Sequence, residues 1–183
     1  MVNHRNYFGI ILENKIPNGI GVEVGVQRGL YSEILLEHWK TGTLHSIDRW
    51  LYTENYKDIA NKEQNVQDSY HQETKKRLER FENRSKVIKK DSVEAAKDYA
   101  DGSLDFVYID ADHSYEGCLR DIQLWYPKIR TGGIISGHDY LNGNLRAGVF
   151  GVKRAVDEFF NERINDLNII PDPGGWKTWW LIK

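Results

Sequence analysis

Short apolar runs recur along this chain, each stopping at an acid, a glycine or a histidine before an apolar pattern of helical spacing begins. The first, Ile20 to Val26, alternates β-branched residues, turns at Gly25 and Gly29, and passes to Leu30, Ile34, Leu35 and Trp39. Leu44 to Ile47 stops at Asp48, Val87-Ile88 at Lys90-Asp91-Ser92, and Leu104 to Ile109 at Asp110. Ile134 to Ser136, introduced by Thr131-Gly132-Gly133, stops at His138-Asp139-Tyr140. Asp91 with Glu94 three residues on is a capping-box pattern for a helix through Tyr99. Tyr115, Leu119, Ile122 and Tyr126 mark a later helix, and Val152, Ala155, Val156, Phe159 and Phe160 another. The chain closes on Asn168 to Pro171 and Lys177 to Ile182 around Pro173-Gly174-Gly175, which reads as an antiparallel hairpin. This alternation predicts an α/β fold, a doubly wound and mostly parallel sheet with an antiparallel C-terminal edge. Right-handed crossovers bring the parallel strands' carboxyl ends to one rim, where such sheets bind ligands.

Two segments stand outside the rhythm. Residues 3–16 read as a helix or lid ending at Pro17-Asn18-Gly19, so that 1–17 form an N-terminal helix/lid. Residues 50–84 read as a helical insertion whose Tyr70, Thr74, Leu78 and Phe81 share one face. Its Lys75-Lys76-Arg77, Arg80 and Arg84 alternate with Glu73, Glu79 and Glu82, a solvated helix face rather than a nucleic-acid patch. Leu141 to Gly151 read as a glycine- and asparagine-rich loop. At 183 residues, the chain 1–183 is expected to be a single domain. A net charge of -2 gives no field to recruit nucleic acid or anionic membrane. No apolar run is long enough to span a bilayer, and Met-Val-Asn-His-Arg lacks a signal-peptide pattern. The one cysteine, Cys118, excludes an internal disulfide, suits a reducing compartment and falls on a helix as a core thiol. The expectation is a cytoplasmic protein with neither a nucleic-acid nor a membrane partner.

The rim would carry Glu23 and Gly25, Asp48, Asp91-Ser92, Asp110 to His113, and His138-Asp139. Glu23-x-Gly25-x-x-x-Gly29 lets backbone approach a ligand closely, since glycine has no Cβ. Gln27 occupies the middle position of the dinucleotide pattern G-x-G-x-x-G, and an acid ahead of the turn would repel a pyrophosphate. That acid suits a ligand bearing an amine. Asp48 is placed to accept hydrogen bonds from ribose hydroxyls. Tyr108 to Gly117 delivers Asp110, Asp112 and His113 in quick succession, and Asp112 or Ser114 can equally cap the helix that follows.

Val22-Glu23-Val24-Gly25-Val26-Gln27-Arg28-Gly29 resembles the first motif of the class I S-adenosylmethionine-dependent methyltransferases. Phe106 to Glu116, Gly132-Gly133 and Gly137-His138-Asp139-Tyr140 are similar to a small-molecule branch of that class. It includes macrocin-type sugar O-methyltransferases, catechol-type enzymes and cephalosporin-hydroxylase-like proteins. The resemblance covers roughly residues 18–183 apart from the insertion. It implies a Rossmann-like, seven-stranded sheet with a reversed terminal strand, and methyl transfer to a hydroxyl. It also implies S-adenosyl-L-methionine as cofactor, with Glu23, Gly25 and Gly29 at its methionine part, Asp48 at its ribose, Asp91-Ser92 at its adenine, and Asp110 beside it.

The metal-dependent branch holds magnesium with a carboxylate ending strand four and an acidic pair ending strand five. Carried over by position, Asp110, His138 and Asp139 are the metal ligands, and His113 takes the base position. A histidine in the set disfavours magnesium and suits manganese, iron or zinc better. In the alternative version there is no metal, and His113 or His138 is a general base near neutral pH. Tyr140, Asn142 and Arg146, with Asn144, are expected to contact a small-molecule acceptor, a sugar or natural-product hydroxyl, because binding residues concentrate on loops. Trp179 and Trp180 should face opposite sides of the sheet. The N-terminal lid and the hairpin edge are each able to mediate a homodimer. Two rivals stand beside this reading, a nicotinamide-dependent oxidoreductase and a non-catalytic nucleoside-binding fold-mate.

Overall fold

The computed structural model describes residues 4–183, and the part of the N-terminal expectation that falls on Met1 to Asn3 lies outside the described residues. Among the described residues nine strands form: β1 Ile20–Val24, β2 Thr43–Asp48, β3 Ser85–Lys89, β4 Leu104–Ile109, β5 Ile129–Gly137, β6 Gly143–Leu145, β7 Gly148–Phe150, β8 Asn168–Pro171 and β9 Lys177–Ile182. The helices are α1 Phe8–Lys15, α2 Leu30–His38, α3 Gln64–Leu78, α4 Ser92–Ala96, α5 Tyr115–Trp125 and α6 Val152–Phe159. Seven of the strands make one sheet in the order β3-β2-β1-β4-β5-β9-β8. The first five pair in parallel, and β9 runs antiparallel to both β5 and β8. Among the described residues no helix is long and apolar enough to cross a membrane.

Register sets the site. Val24 lies level with Ile47 on one side and Ile109 on the other, and Ile109 lies level with Gly137. The residues that follow, Gly25, Asp48, Asp110 and His138, therefore leave the sheet at one height. Strand β4 is buried on both faces, so its period of two divides the core. Val107 and Ile109 pack with Trp125, Ile135 and Trp179, whereas Phe106 and Tyr108 pack with Phe8, Leu35 and Trp39. Trp179 and Trp180 fall on opposite sides of the sheet as the alternation requires.

Helix α1 is a core element rather than a cover. Phe8, Leu12 and Ile16 are buried against α2 and β4, with the Phe8 and Phe106 rings 5.8 Å apart. Only the short 3-10 turn ahead of it, Arg5–Tyr7, reaches the rim. The helix after Asp91 stops at Ala96 instead of Tyr99, and its capping box is half made. Asp91 accepts from the Val93 amide at 2.9 Å, while Glu94 pairs with Lys97 at 2.6 Å. The segment 141–151, expected as a loop, holds the β6–β7 hairpin, with Gly143 opposite Phe150. Two arginines of the insertion, Arg77 on α3 and Arg80 just beyond its end, pair internally, while Lys75 and Lys76 stay exposed. Arg77 reaches Glu33 at 2.7 Å and Glu73 at 2.8 Å, and Arg80 reaches Glu33 at 2.9 Å.

Candidate active site

The turn after β1 is shaped by close backbone approach. Gly25 sits at φ 88°, and a Cβ there would overlap the carbonyl of Asp110, so this position fits glycine alone. Gly29, at φ 71°, faces Thr74 on α3, which a Cβ would meet at 2.9 Å. Asp48 holds the turn from the neighbouring strand end. Its Oδ2 accepts from the amides of Val26 at 2.9 Å and Gln27 at 2.8 Å, and its Oδ1 from Trp50 at 2.8 Å. A carboxylate has lone pairs beyond these three, so Asp48 retains acceptor capacity for a hydroxyl.

Glu23 is 1% exposed and accepts from the hydroxyl of Ser32, which in turn accepts from Ser46 at 3.1 Å. Burial pushes the Glu23 carboxyl up to about 8, against the Ser32 hydrogen bond, so it is mostly neutral at pH 7. The Asp91 side chain caps α4, and the Ser92 hydroxyl donates to Asp121 at 2.8 Å while accepting from Trp125 at 2.9 Å.

Across the rim, carboxylates and imidazoles alternate. The Nδ1 of His113 hydrogen-bonds Asp58 at 2.8 Å, and its Nε2 lies 3.5 Å from Asp110 and 3.0 Å from Asp139. The Nδ1 of His138 lies 3.0 Å from Asp139 and 3.8 Å from Asp110. Its Nε2 is 3.3 Å from Asp172, an ion-pair contact without the alignment of a hydrogen bond. Burial works against charge on His113, yet the three carboxylates outweigh it and push the imidazole up to about 12. The same contest raises His138 to about 9, with Asp110 the leading carboxylate. Asp139 is held below the usual carboxylate range by both imidazoles, against its burial. Its backbone sits in the left-handed region at φ 53°, a strain typical of functional sites. Phe150 stacks on His113 with centroids 5.0 Å apart. Asp112 and Ser114 share the capping work: Asp112 accepts from the Ser114 amide at 3.0 Å, and Ser114 accepts from Gly117 at 3.0 Å.

The sequence profile of a methyltransferase domain matches residues 22–140, from within β1 to just beyond β5. The chain belongs to that family. No curated protein sequence matches this methyltransferase. Solved structures share its fold. An O-methyltransferase from Bacillus cereus in complex with SAH superposes with a TM-score of 0.63 at 14% identity, over 98% of this chain and 80% of that one. A putative caffeoyl-CoA O-methyltransferase from Staphylococcus aureus gives 0.65 at 13% identity, over 98% and 82%. A putative rRNA-methylase from Clostridium thermocellum gives 0.67 at 16% identity, over 100% and 97%.

Three residues of the methyltransferase rim were not singled out in the sequence. Asp58 comes from the insertion, Asp172 from the terminal hairpin and Arg5 from the N-terminal turn. The insertion reaches the site because Asp58 bridges Gly148 and the Ile59 amide donates to Ala147 at 2.8 Å, stitching it to the β6–β7 hairpin. No periodicity marks any of the three, since each acts through a loop. Of the expected acceptor contacts, Tyr140 donates to Asp157 and Asn142 accepts from the Arg154 amide at 2.9 Å, so both brace α6; Arg146 is exposed.

The donor set also bears on a metal. One ligand atom each from Asp110, His113 and Asp139 lies within 4.8 Å of the others, two oxygens and one nitrogen. This grouping puts His113 in the place assigned from sequence to His138, whose Nδ1 faces the same two carboxylates from the other side. Such residues fit a divalent ion that tolerates mixed oxygen and nitrogen ligands. His113 can offer Nε2 to it only by giving up its proton.

Proposed function

We propose that this methyltransferase moves the methyl group of S-adenosyl-L-methionine to a hydroxyl oxygen of a small molecule. The observation that carries the reading is the convergence of Asp110, His113 and Asp139 at the ends of β4 and β5, directly beside the Gly25 turn. The SAH complex of the Bacillus cereus O-methyltransferase, which shares the fold, supports the choice of donor. In the reaction an acceptor oxygen attacks the methyl carbon, the carbon–sulfur bond breaks with its electron pair passing to sulfur, and the hydroxyl proton leaves. Glu23 takes the donor's amine and Asp48 its ribose. Asp110 and Asp139 orient the hydroxyl, and Asp110 receives its proton.

His113 has a different part from that of a base. An imidazole pushed up to about 12 holds its proton at neutral pH and cannot accept another. As an imidazolium it draws Asp58, Asp110 and Asp139 together. A divalent ion bound by Asp110, His113 and Asp139 would supply Lewis acidity, lowering the pKa of a bound hydroxyl. A groove of about 320 Å³, lined by Ser114, Tyr115, Asn142, Phe150 and Arg154, opens behind the Phe150 ring that stacks on His113. An RNA acceptor, which the Clostridium thermocellum neighbour's description suggests, finds less free positive charge than the sequence lists, because Arg77 and Arg80 pair with Glu33 and Glu73.

Calorimetry with S-adenosylhomocysteine and NAD, followed by methyl transfer to a panel of hydroxylated acceptors, tests the reading. Binding of the homocysteine nucleoside and activity lost in Asp110→Asn are expected. NAD binding without it, or unchanged turnover in Asp110→Asn, would overturn the assignment.

A further inference from the structure

A guanidinium lies at the methionine end of the rim with its hydrogen-bonding capacity unused. Arg5 packs over the Tyr31 ring with its central carbon 4.0 Å from the centroid, and Tyr108 lies at 5.9 Å. Its side chain is 18% exposed. Among the described residues its nearest carboxylate oxygen is that of Asp110, at 3.7 Å, and no aligned hydrogen bond leaves the guanidinium. The backbone, by contrast, is firmly held. The Arg5 amide donates to Asp172 at 2.8 Å, and its carbonyl accepts from the Tyr31 hydroxyl at 3.3 Å. The chain thus fixes a partly buried charge, with five donors in a rigid fork, and leaves that fork without an oxygen pair to hold.

We propose that Arg5 is the receptor for the carboxylate of the methyl donor's amino-acid end, paired with Glu23 as receptor for its amine. The inference rests on the reading of S-adenosylmethionine as donor. An α-amino acid carries its amine and carboxylate on one carbon, so the two receptors must be neighbours. Glu23 lies level with Tyr108 and bonds Ser32, the neighbour of Tyr31, and these are the two rings over which the Arg5 guanidinium sits. An ammonium seated against Glu23 would draw off the proton that burial keeps there, because the carboxylate then gains a counter-charge. A bidentate guanidinium–carboxylate pair in a partly dry seat is among the stronger hydrogen-bonded contacts available to a protein.

The test measures affinity by calorimetry on the full chain, with S-adenosylhomocysteine and with its decarboxylated analogue, for the wild type, Arg5→Gln and Arg5→Lys. In the wild type, removing the ligand's carboxylate should weaken binding by about tenfold to a hundredfold. Arg5→Gln should lose a similar factor for S-adenosylhomocysteine and no longer distinguish the two ligands. Arg5→Lys keeps the charge without the fork and should fall between. A wild type that binds both ligands equally overturns the assignment without any variant, and so does an Arg5→Gln protein that still prefers the carboxylate. If the wild type binds neither ligand, the donor itself is wrong and the proposal falls with it.

Discussion

His113, like His138, has three carboxylates at its ring nitrogens, and the nearest of those around His113 comes from the insertion. Asp58, 4% exposed at its side chain, accepts from Nδ1 at 2.8 Å and thereby turns Nε2 toward Asp110 and Asp139. Asp58→Asn keeps the shape and removes the charge. It should lower turnover by about tenfold to a hundredfold, in keeping with partners that orient a metal- or substrate-facing imidazole, and leave donor affinity near wild type. Steady-state kinetics beside calorimetry separates the two effects. Glu23 gives a second test through pH. Its proton is retained up to about 8 in the folded chain but lost near 4.5 in the unfolded one, so the folded state binds more protons across that window. Stability therefore falls as pH rises from about 4.5 to about 8 and is level beyond. Glu23→Gln should flatten this slope, read as melting temperature against pH without ligand. At this scale the sequence is informative along the strands: Glu23 lies within the first apolar run, Asp48, Asp110, His113 and Asp139 follow later ones, and the runs locate them. Asp58 and Arg5 follow none, and Asp172 follows the terminal hairpin's first strand, at the far edge of the sheet.

Elements make those strand ends coincide. The parallel strands could be read from β-branched runs with little error, because residues buried on both faces leave a continuous apolar stretch. Helix α4 is shorter than its capping pattern indicates. Asp91 supplies the cap, but Asp101-Gly102 lies close behind and the chain turns after Ala96. The β6–β7 hairpin was missed because its three-residue strands carry Gly143, Asn144 and Gly148, poor strand formers that pair only because the insertion lies against them. The turn between β1 and α2 carries the sharpest prediction at this level. In Gly25→Ala the new methyl would meet the Asp110 carbonyl while φ stays at 88°. Backbone strain with that overlap should cost about 3 kcal/mol. For a domain of this size the melting temperature should fall by about 6–12 °C, as scanning calorimetry would record. A fall within about 1 °C would mean that the turn and the end of β4 separate more easily than their contact indicates.

Seen across the whole molecule, the site is a knot between segments far apart in the chain, and Asp172 is where it is tied. Its side chain, 3% exposed, accepts from the Arg5 amide at 2.8 Å and from Thr178 at 2.9 Å, and lies 3.3 Å from His138. One carboxylate thus joins the N-terminal turn, the end of β5 and the last hairpin. Asp58 does the same for the insertion on the opposite flank of His113. Asp172→Ala leaves the His138 imidazolium short of a counter-charge and the Arg5 amide without its acceptor. Removing one partner of a buried pair should cost about 3 kcal/mol, again about 6–12 °C in melting temperature. The more telling consequence is at a distance. If Asp172 fixes the backbone that carries the Arg5 guanidinium, Asp172→Ala should weaken S-adenosylhomocysteine binding in the wild-type background. In an Arg5→Gln background it should add nothing, because the group it positions is gone. Losses that simply add would mean that the hairpin and the N-terminal turn act on the donor independently. A non-additive pair would tie the two ends of the chain to one function, an arrangement that no local pattern in the sequence displays.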